Sequence, residues 1–233
     1  MCSVVGALIK NPKKEHFDMI RKVFHESRIR GLHATGMSIL LNNKILTFKE
    51  PVPANKFVHL DDLEEMVNED GNLYLIGHCR YSTSDLEFNQ PIYNETCSIV
   101  HNGVITQELP ERWNALFGVA CSTKNDSELV LHSKSPLDEF PDSSIAVCEL
   151  HIDKKLMVYR NGKRPLYLTE IGKDGIIVTS TEDIAKRSGL SNTTIIPLNV
   201  YHTINDRCEL ALENISNESN KDLQRVDYGT LRI

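Results

Sequence analysis

Several things are missing from this chain of 233 residues, and each absence closes off a class of protein. No apolar run approaches the roughly 20 residues that a membrane-crossing helix needs. The first apolar stretch, Val4 to Ile9, is too short for a signal-peptide core, with neither basic residues before it nor a cleavage pattern after it. These absences predict a cytoplasmic protein that does not engage membranes. Lys and Arg are dispersed, and the formal net charge of -6 argues against a nucleic-acid partner. No glycine-rich loop sits at a strand-to-helix turn, so no nucleotide site is expected. The six cysteines, Cys2, Cys79, Cys97, Cys121, Cys148 and Cys208, are scattered singly, with no C-x-x-C pair and no histidine spacing suited to zinc. Reduced thiols are therefore expected rather than a disulfide frame, and no metal or organic cofactor. Repeats, low-complexity linkers and composition breaks are also absent. That predicts a single domain over residues 2–233, with a polar, loosely held tail at 214–233.

What is present is mostly strand. "SVVGALI" reads as a buried strand at the very start of the chain. Asn11-Pro12 marks a helix start, and Phe17, Ile20 and Phe24 on one face extend the helix over residues 12–27. "MSILL" and "KILTF" flank Asn42-Asn43, a hairpin turn, and "DDLEEMVNED" reads as a short acidic surface helix. "LYLIGHCRYST" and "CSIVHNGVI" are strands whose polar residues begin where the apolar run stops, which is where sites are built. "SIAVCELHI", "KLMVYR", "RPLYL", "GIIVTS", "VYHTI" and "CELAL" add further strands, with Asn161-Gly162 as a second hairpin signal. Thr181 caps a helix that Gly189 ends. About ten strands with a few interrupting helices predict a layered α+β architecture rather than a doubly wound sheet.

One cysteine stands apart by position. Methionine is routinely trimmed before a small residue, so Cys2 becomes the mature N-terminus, where a thiol and a free α-amine share one residue. Four further stretches read together with it: "RGLHATG" (Arg30 to Gly36), "GHCRYST" (Gly77 to Thr83), "HNG" (His101 to Gly103) and "NDSELV" (Asn125 to Val130), with "NQP" (Asn89 to Pro91) between the second and third. In this order behind Met-Cys they resemble the class II glutamine amidotransferases, the N-terminal-nucleophile family with the signatures R-G-x-x-S-x-G, G-H-x-R-Y-S-T, Q-P, H-N-G and S-D-[ST]-E. "NGKRPLYL" is similar to the family's G-x-R-P-L strand.

The resemblance implies a four-layer αββα sandwich of the N-terminal-nucleophile hydrolase type. It also implies hydrolysis of the γ-amide of L-glutamine, in which Cys2 attacks the carboxamide carbon and its own α-amine accepts the thiol proton. In model compounds the two groups titrate at about 7.7 to 8.0 and about 8.5, close enough for that transfer near neutrality. Asn102 and Gly103 map to the oxyanion donors. Arg80, with Thr83 close by, maps to the group that grips the substrate carboxylate, and Asp126 to the one that accepts from its ammonium. His101 falls within the substrate-side group, but neither it nor His78 is given a proton-transfer role, since the α-amine fills the base position. Arg30 and Gly31 match the pair that orients the N-terminal residue.

Three positions depart from the pattern: Ser3 where glycine usually follows the cysteine, Asn125 where serine is common, and Thr35 for serine. None removes a reacting group. Classical members fuse this domain to a synthetase, transferase or isomerase. The short chain is therefore expected to deliver ammonia to a separately encoded synthetase or transferase. The alternatives are a partner-independent hydrolase of another γ-glutamyl amide and an inactive binding module.

Overall fold

The computed structural model describes residues 1–82 and 88–213; Thr83 and the tail at 214–233 lie outside them. In chain order the elements are β1 (Ser3–Lys10), α1 (Lys14–Ser27), β2 (Ala34–Leu41), β3 (Lys44–Glu50), β4 (Asn72–Arg80), β5 (Ile92–Tyr93), β6 (Cys97–His101), α2 (Pro110–Phe117), α3 (Glu128–His132) and α4 (Pro136–Glu139). After these come β7 (Ala146–His151), β8 (Lys155–Arg160), β9 (Tyr167–Ile171), β10 (Gly175–Thr179), α5 (Glu182–Arg187), β11 (Thr193–Ile195), β12 (Tyr201–Ile204) and β13 (Leu210–Glu213). The strands form two antiparallel sheets, ordered β11-β9-β10-β1-β4-β2-β3 and β13-β12-β8-β7-β6-β5.

Strand alternation sorts the side chains into three apolar layers. From β1, Val5, Ala7 and Ile9 face α1 and α5, where they meet Phe17, Ile20, Phe24 and Ile184. Val4 and Leu8 point the other way and pack against Val100, Cys148 and Val158 of the second sheet. On that sheet's far side, Ile99, Val147 and Tyr159 are covered by Trp113 of α2 and by Leu129 and Val130 of α3. The result is helix, sheet, sheet, helix, the four layers expected from the sequence. No helix among the described residues is long and apolar enough to cross a membrane.

Several local readings correspond closely. Asn42 and Asn43 take φ of 51° and 57° in the β2–β3 turn, the left-handed pair that a two-residue hairpin needs. The Thr181 hydroxyl accepts from Ile184 N at 3.3 Å to cap α5, and Gly189 ends it with φ of 84°.

Others differ. Helix α1 begins at Lys14 rather than Pro12, because Asn11 turns at φ 42° and Lys13 N donates to His16 Nδ1 at 3.1 Å as the cap. The acidic stretch forms a 3₁₀ turn over Leu63–Met66 whose Leu63 and Met66 are buried, so its charge lies on one side only. Asn161-Gly162 is not a hairpin, because β8 and β9 belong to different sheets. Asn161 instead braces the crossover, donating to Ser143 O at 2.7 Å and accepting from Ile145 N at 3.1 Å.

Candidate active site

The site is assembled where three strands run out. Strand β1 is central in its sheet, with β10 on one side and β4 on the other, and its first rung sets Ser3 opposite Cys79. Cys2 lies one residue beyond that rung. Arg30 Nε donates to Cys2 O at 2.9 Å, so the backbone of Cys2 is tethered while its half-buried thiol lies 4.0 Å from Tyr81 O. The loop bearing Arg30 reaches this far because Gly31 packs on β4: a Cβ there would stand 2.2 Å from Cys79 O. Ser3 is fully buried and its Oγ has no hydrogen-bond partner among the described residues. The departure from glycine is thus accommodated at the cost of an unsatisfied hydroxyl.

Arg80 ends β4. Its Nη1 donates to Phe88 O at 2.9 Å and to Asn89 Oδ1 at 3.3 Å, which orients the guanidinium plane. Strand β6 ends in His101, and Asn102 and Gly103 follow it. Asn102 N donates to Ala146 O at 2.9 Å. Its side chain is buried, yet Nδ2 has no partner among the described residues. A buried amide donor without an acceptor is costly unless a ligand supplies one. Gly103 is sterically obligatory, since a Cβ would fall 1.7 Å from Ser144 O.

Asp126 comes from the loop before α3. Its Oδ2 accepts from Ile105 N at 2.6 Å and from Thr106 N at 3.2 Å, which leaves Oδ1 as the oxygen for a further donor. The loop is shaped by Glu128, whose buried carboxylate accepts from Ser122 N at 2.7 Å, from Ser122 Oγ at 2.8 Å and from Thr123 N at 2.6 Å. Burial pushes the Glu128 carboxyl up, but the hydrogen bonds from Thr123 and Ser122 outweigh it and hold the group below its usual value.

Two residues have partners that the sequence did not reveal. His101 lines the cavity, and its Nδ1 meets Ser127 Oγ at 2.8 Å and its Nε2 meets Ser144 O at 3.0 Å. Both nitrogens are used internally, and the ring braces the segments that carry Gly103 and Asp126. Gln90 had no assigned role, yet it clamps the same knot: it accepts from His101 N at 2.6 Å and donates to His101 O and to Ser127 Oγ, each at 3.1 Å. The Q-P pair was visible in the sequence, but its partners were not.

Cys2, Arg80, His101, Gly103 and Asp126 all line one cavity of about 490 Å³, whereas Asn102, the residue between His101 and Gly103, is not among its lining residues. Arg30 and Gly31 stand outside its lining and act through the backbone. Thr83 falls outside the described residues. His78 also lines the cavity, fully buried and with neither ring nitrogen hydrogen-bonded among the described residues. Burial, then the positive charge of Arg80, then His101, push it down to about 3. It is therefore neutral in the folded protein and gains a proton only on unfolding below about pH 6.5. Native stability should accordingly fall as pH drops from about 6.5 toward 3. We expect His78→Leu to flatten that decline, read as a smaller loss of melting temperature between pH 7 and pH 5 than in the parent protein.

No protein-family model matches this sequence, and no curated protein matches it significantly. Solved structures do match in shape. The glutamine phosphoribosylpyrophosphate amidotransferase of B. subtilis, complexed with ADP and GMP, superposes with a TM-score of 0.66 at 18% identity, covering 93% of this chain and 50% of that one. An allosteric regulatory enzyme of purine biosynthesis gives 0.71 at 20% identity, with 93% and 50% covered. This chain has the class II glutamine amidotransferase fold. A glutamine aminotransferase class-II domain protein from Silicibacter pomeroyi shares it over its whole length, with a TM-score of 0.58 at 11% identity and 92% of this chain covered. The chain spans about half the length of the first two. Among the described residues, the side chains placed to share a metal ion are Cys97, Glu149 and His151, none of which lines the cavity.

Proposed function

We propose that this protein hydrolyses the γ-amide of L-glutamine to glutamate and ammonia, with Cys2 as an N-terminal nucleophile. Removal of Met1, which is exposed, frees the Cys2 α-amine. The amine takes the thiol proton, and Sγ attacks the carboxamide carbon. The oxygen that gains charge is received by Asn102 Nδ2 and Gly103 N. The proton passes to the departing nitrogen, ammonia leaves, and water hydrolyses the glutamyl thioester to glutamate and the free thiol.

The observation that carries this reading is the buried Asn102 Nδ2, without a hydrogen-bond partner among the described residues, on the residue preceding Gly103, which lines the same cavity as Cys2. An oxyanion donor must be preorganised and idle before the reaction, and this one is both. At the other end of the substrate, Arg80 takes the α-carboxylate and Asp126 Oδ1 the α-ammonium. Thr83 is proposed beside Arg80. The ammonia is proposed to pass to a synthetase or transferase acceptor. Six free thiols suit the reducing cytoplasm as its compartment.

Intact-mass spectrometry with an electrophilic glutamine analogue tests the reading. Loss of the Met1 mass followed by a single adduct, suppressed by excess glutamine, is the expected result. A processed chain that takes no label, or a label that glutamine does not compete away, would sink it. Asp126→Asn removes the charge that pairs with the ammonium while keeping an acceptor for Ile105 N. We expect KM for glutamine to rise about 10- to 100-fold, with a smaller change in kcat.

A further inference from the structure

Outside the cavity, one cluster of chemically capable side chains has no role in glutamine hydrolysis. Cys97 opens β6, and Glu149 and His151 close β7. The antiparallel register sets Cys97 directly opposite His151, and Ile99 opposite Glu149. All three side chains therefore project from the same face of the sheet at neighbouring positions.

Cys97 Sγ lies 3.9 Å from both His151 Nε2 and Glu149 Oε2, and these two atoms are 2.8 Å apart. The triangle has the dimensions of a coordination site. An ion set about 2.05 Å from the nitrogen and oxygen and about 2.3 Å from the sulfur sits about 0.5 Å out of their plane, on the way to a tetrahedral apex. Tyr159 OH donates to the other carboxylate oxygen, Glu149 Oε1, at 2.6 Å, the kind of outer hydrogen bond that fixes a ligating carboxylate.

We propose that Cys97, Glu149 and His151 form a Zn²⁺ site, with water as the fourth ligand. Thiolate with imidazole and carboxylate is a donor set that suits Zn²⁺ far better than Mg²⁺ or Ca²⁺. The charges also balance: one thiolate and one carboxylate neutralise the ion, and neutral imidazole adds nothing. Binding forms the Zn–S bond and releases the Cys97 thiol proton to solvent. The side chains of His151 and Glu149 are 20% and 11% exposed, so the ion and its water have a way in.

The site stands at the far end of β6 (Cys97–His101) from Asn102, about 17 Å along the chain at about 3.3 Å per residue. Its ion would clip β6 to β7 without touching substrate. This revises the expectation of a metal-free protein. It goes beyond the glutaminase reading and does not depend on it.

Co²⁺ titration followed by Zn²⁺ competition tests the site in full-length protein carrying Cys2→Ala, which removes the thiol at the cavity. The expected result is a thiolate-to-cobalt charge-transfer band that saturates at about one equivalent and is bleached by Zn²⁺. Cys97→Ser should lose that band, and Cys208→Ser should keep it. His151→Ala, the second variant should Cys97→Ser not fold, should weaken Co²⁺ binding by at least about tenfold. Absence of a saturable band overturns the proposal and leaves a simple Glu149–His151 ion pair. So does a band unchanged in folded Cys97→Ser, or undiminished affinity in His151→Ala.

Discussion

Cys2→Ala is expected to eliminate glutamine hydrolysis while melting within a degree or two of the parent protein. The two halves of this result come from separate features. Activity is lost because no other thiol can take the part: Cys79 and Cys148 are fully buried in the apolar layers, where burial pushes the Cys79 thiol up to about 12. Stability is kept because Cys2 is tethered by its carbonyl, to Arg30 Nε, and alanine retains that carbonyl. Side-by-side measurement of ammonia release and thermal unfolding checks both. Residual turnover in the variant would refute Cys2 as nucleophile, and a large drop in melting temperature would mean that the side chain is needed for packing.

Asn102→Ala should cut kcat about 100- to 1,000-fold, the usual effect of losing one oxyanion donor. The expected change in stability is small or favourable, because the amide nitrogen removed has no hydrogen-bond partner among the described residues. Deleting a buried polar group that is already unsatisfied removes a desolvation cost. The backbone bond from Asn102 N to Ala146 O is untouched by the substitution. A kcat within threefold of the parent would rule out the oxyanion assignment. A structural role would instead show as a fall in melting temperature in step with activity. Gly103 offers no matching experiment, since the 1.7 Å approach to Ser144 O makes any side chain there a folding defect first.

How far these features were legible depended on their range. Local chemistry came through: paired asparagines at 42 and 43, the Thr181 cap and the terminating Gly189 are each decided within a few residues. The layered fold also came through, because the count of strands interrupted by a few helices points to it and the family resemblance supplies the four layers. What escaped was settled by partners distant in sequence. Asn161-Gly162 has every local mark of a hairpin, but β8 is claimed by β7 and β12 in one sheet and β9 by β10 and β11 in the other. His101 and Gln90 fell within recognisable motifs, yet their roles come from Ser127 and Ser144, up to 43 residues away. Cys97 and His151 are 54 residues apart, so no motif spacing brings them together, and strand register does.

The placement of Cys2 one residue ahead of the first rung of β1 makes the start of the chain intolerant of length change. A residue inserted between Cys2 and Ser3 would shift the thiol by about 3.3 Å and turn it to the opposite face of the sheet. A residue inserted between Met1 and Cys2 would leave the thiol where it is but keep the α-amine of the proposed nucleophile in a peptide bond. Terminal residues of most proteins can be extended at no cost. Under the proposed mechanism the first two residues are part of the site, so an N-terminal affinity tag that is not removed is expected to silence the enzyme.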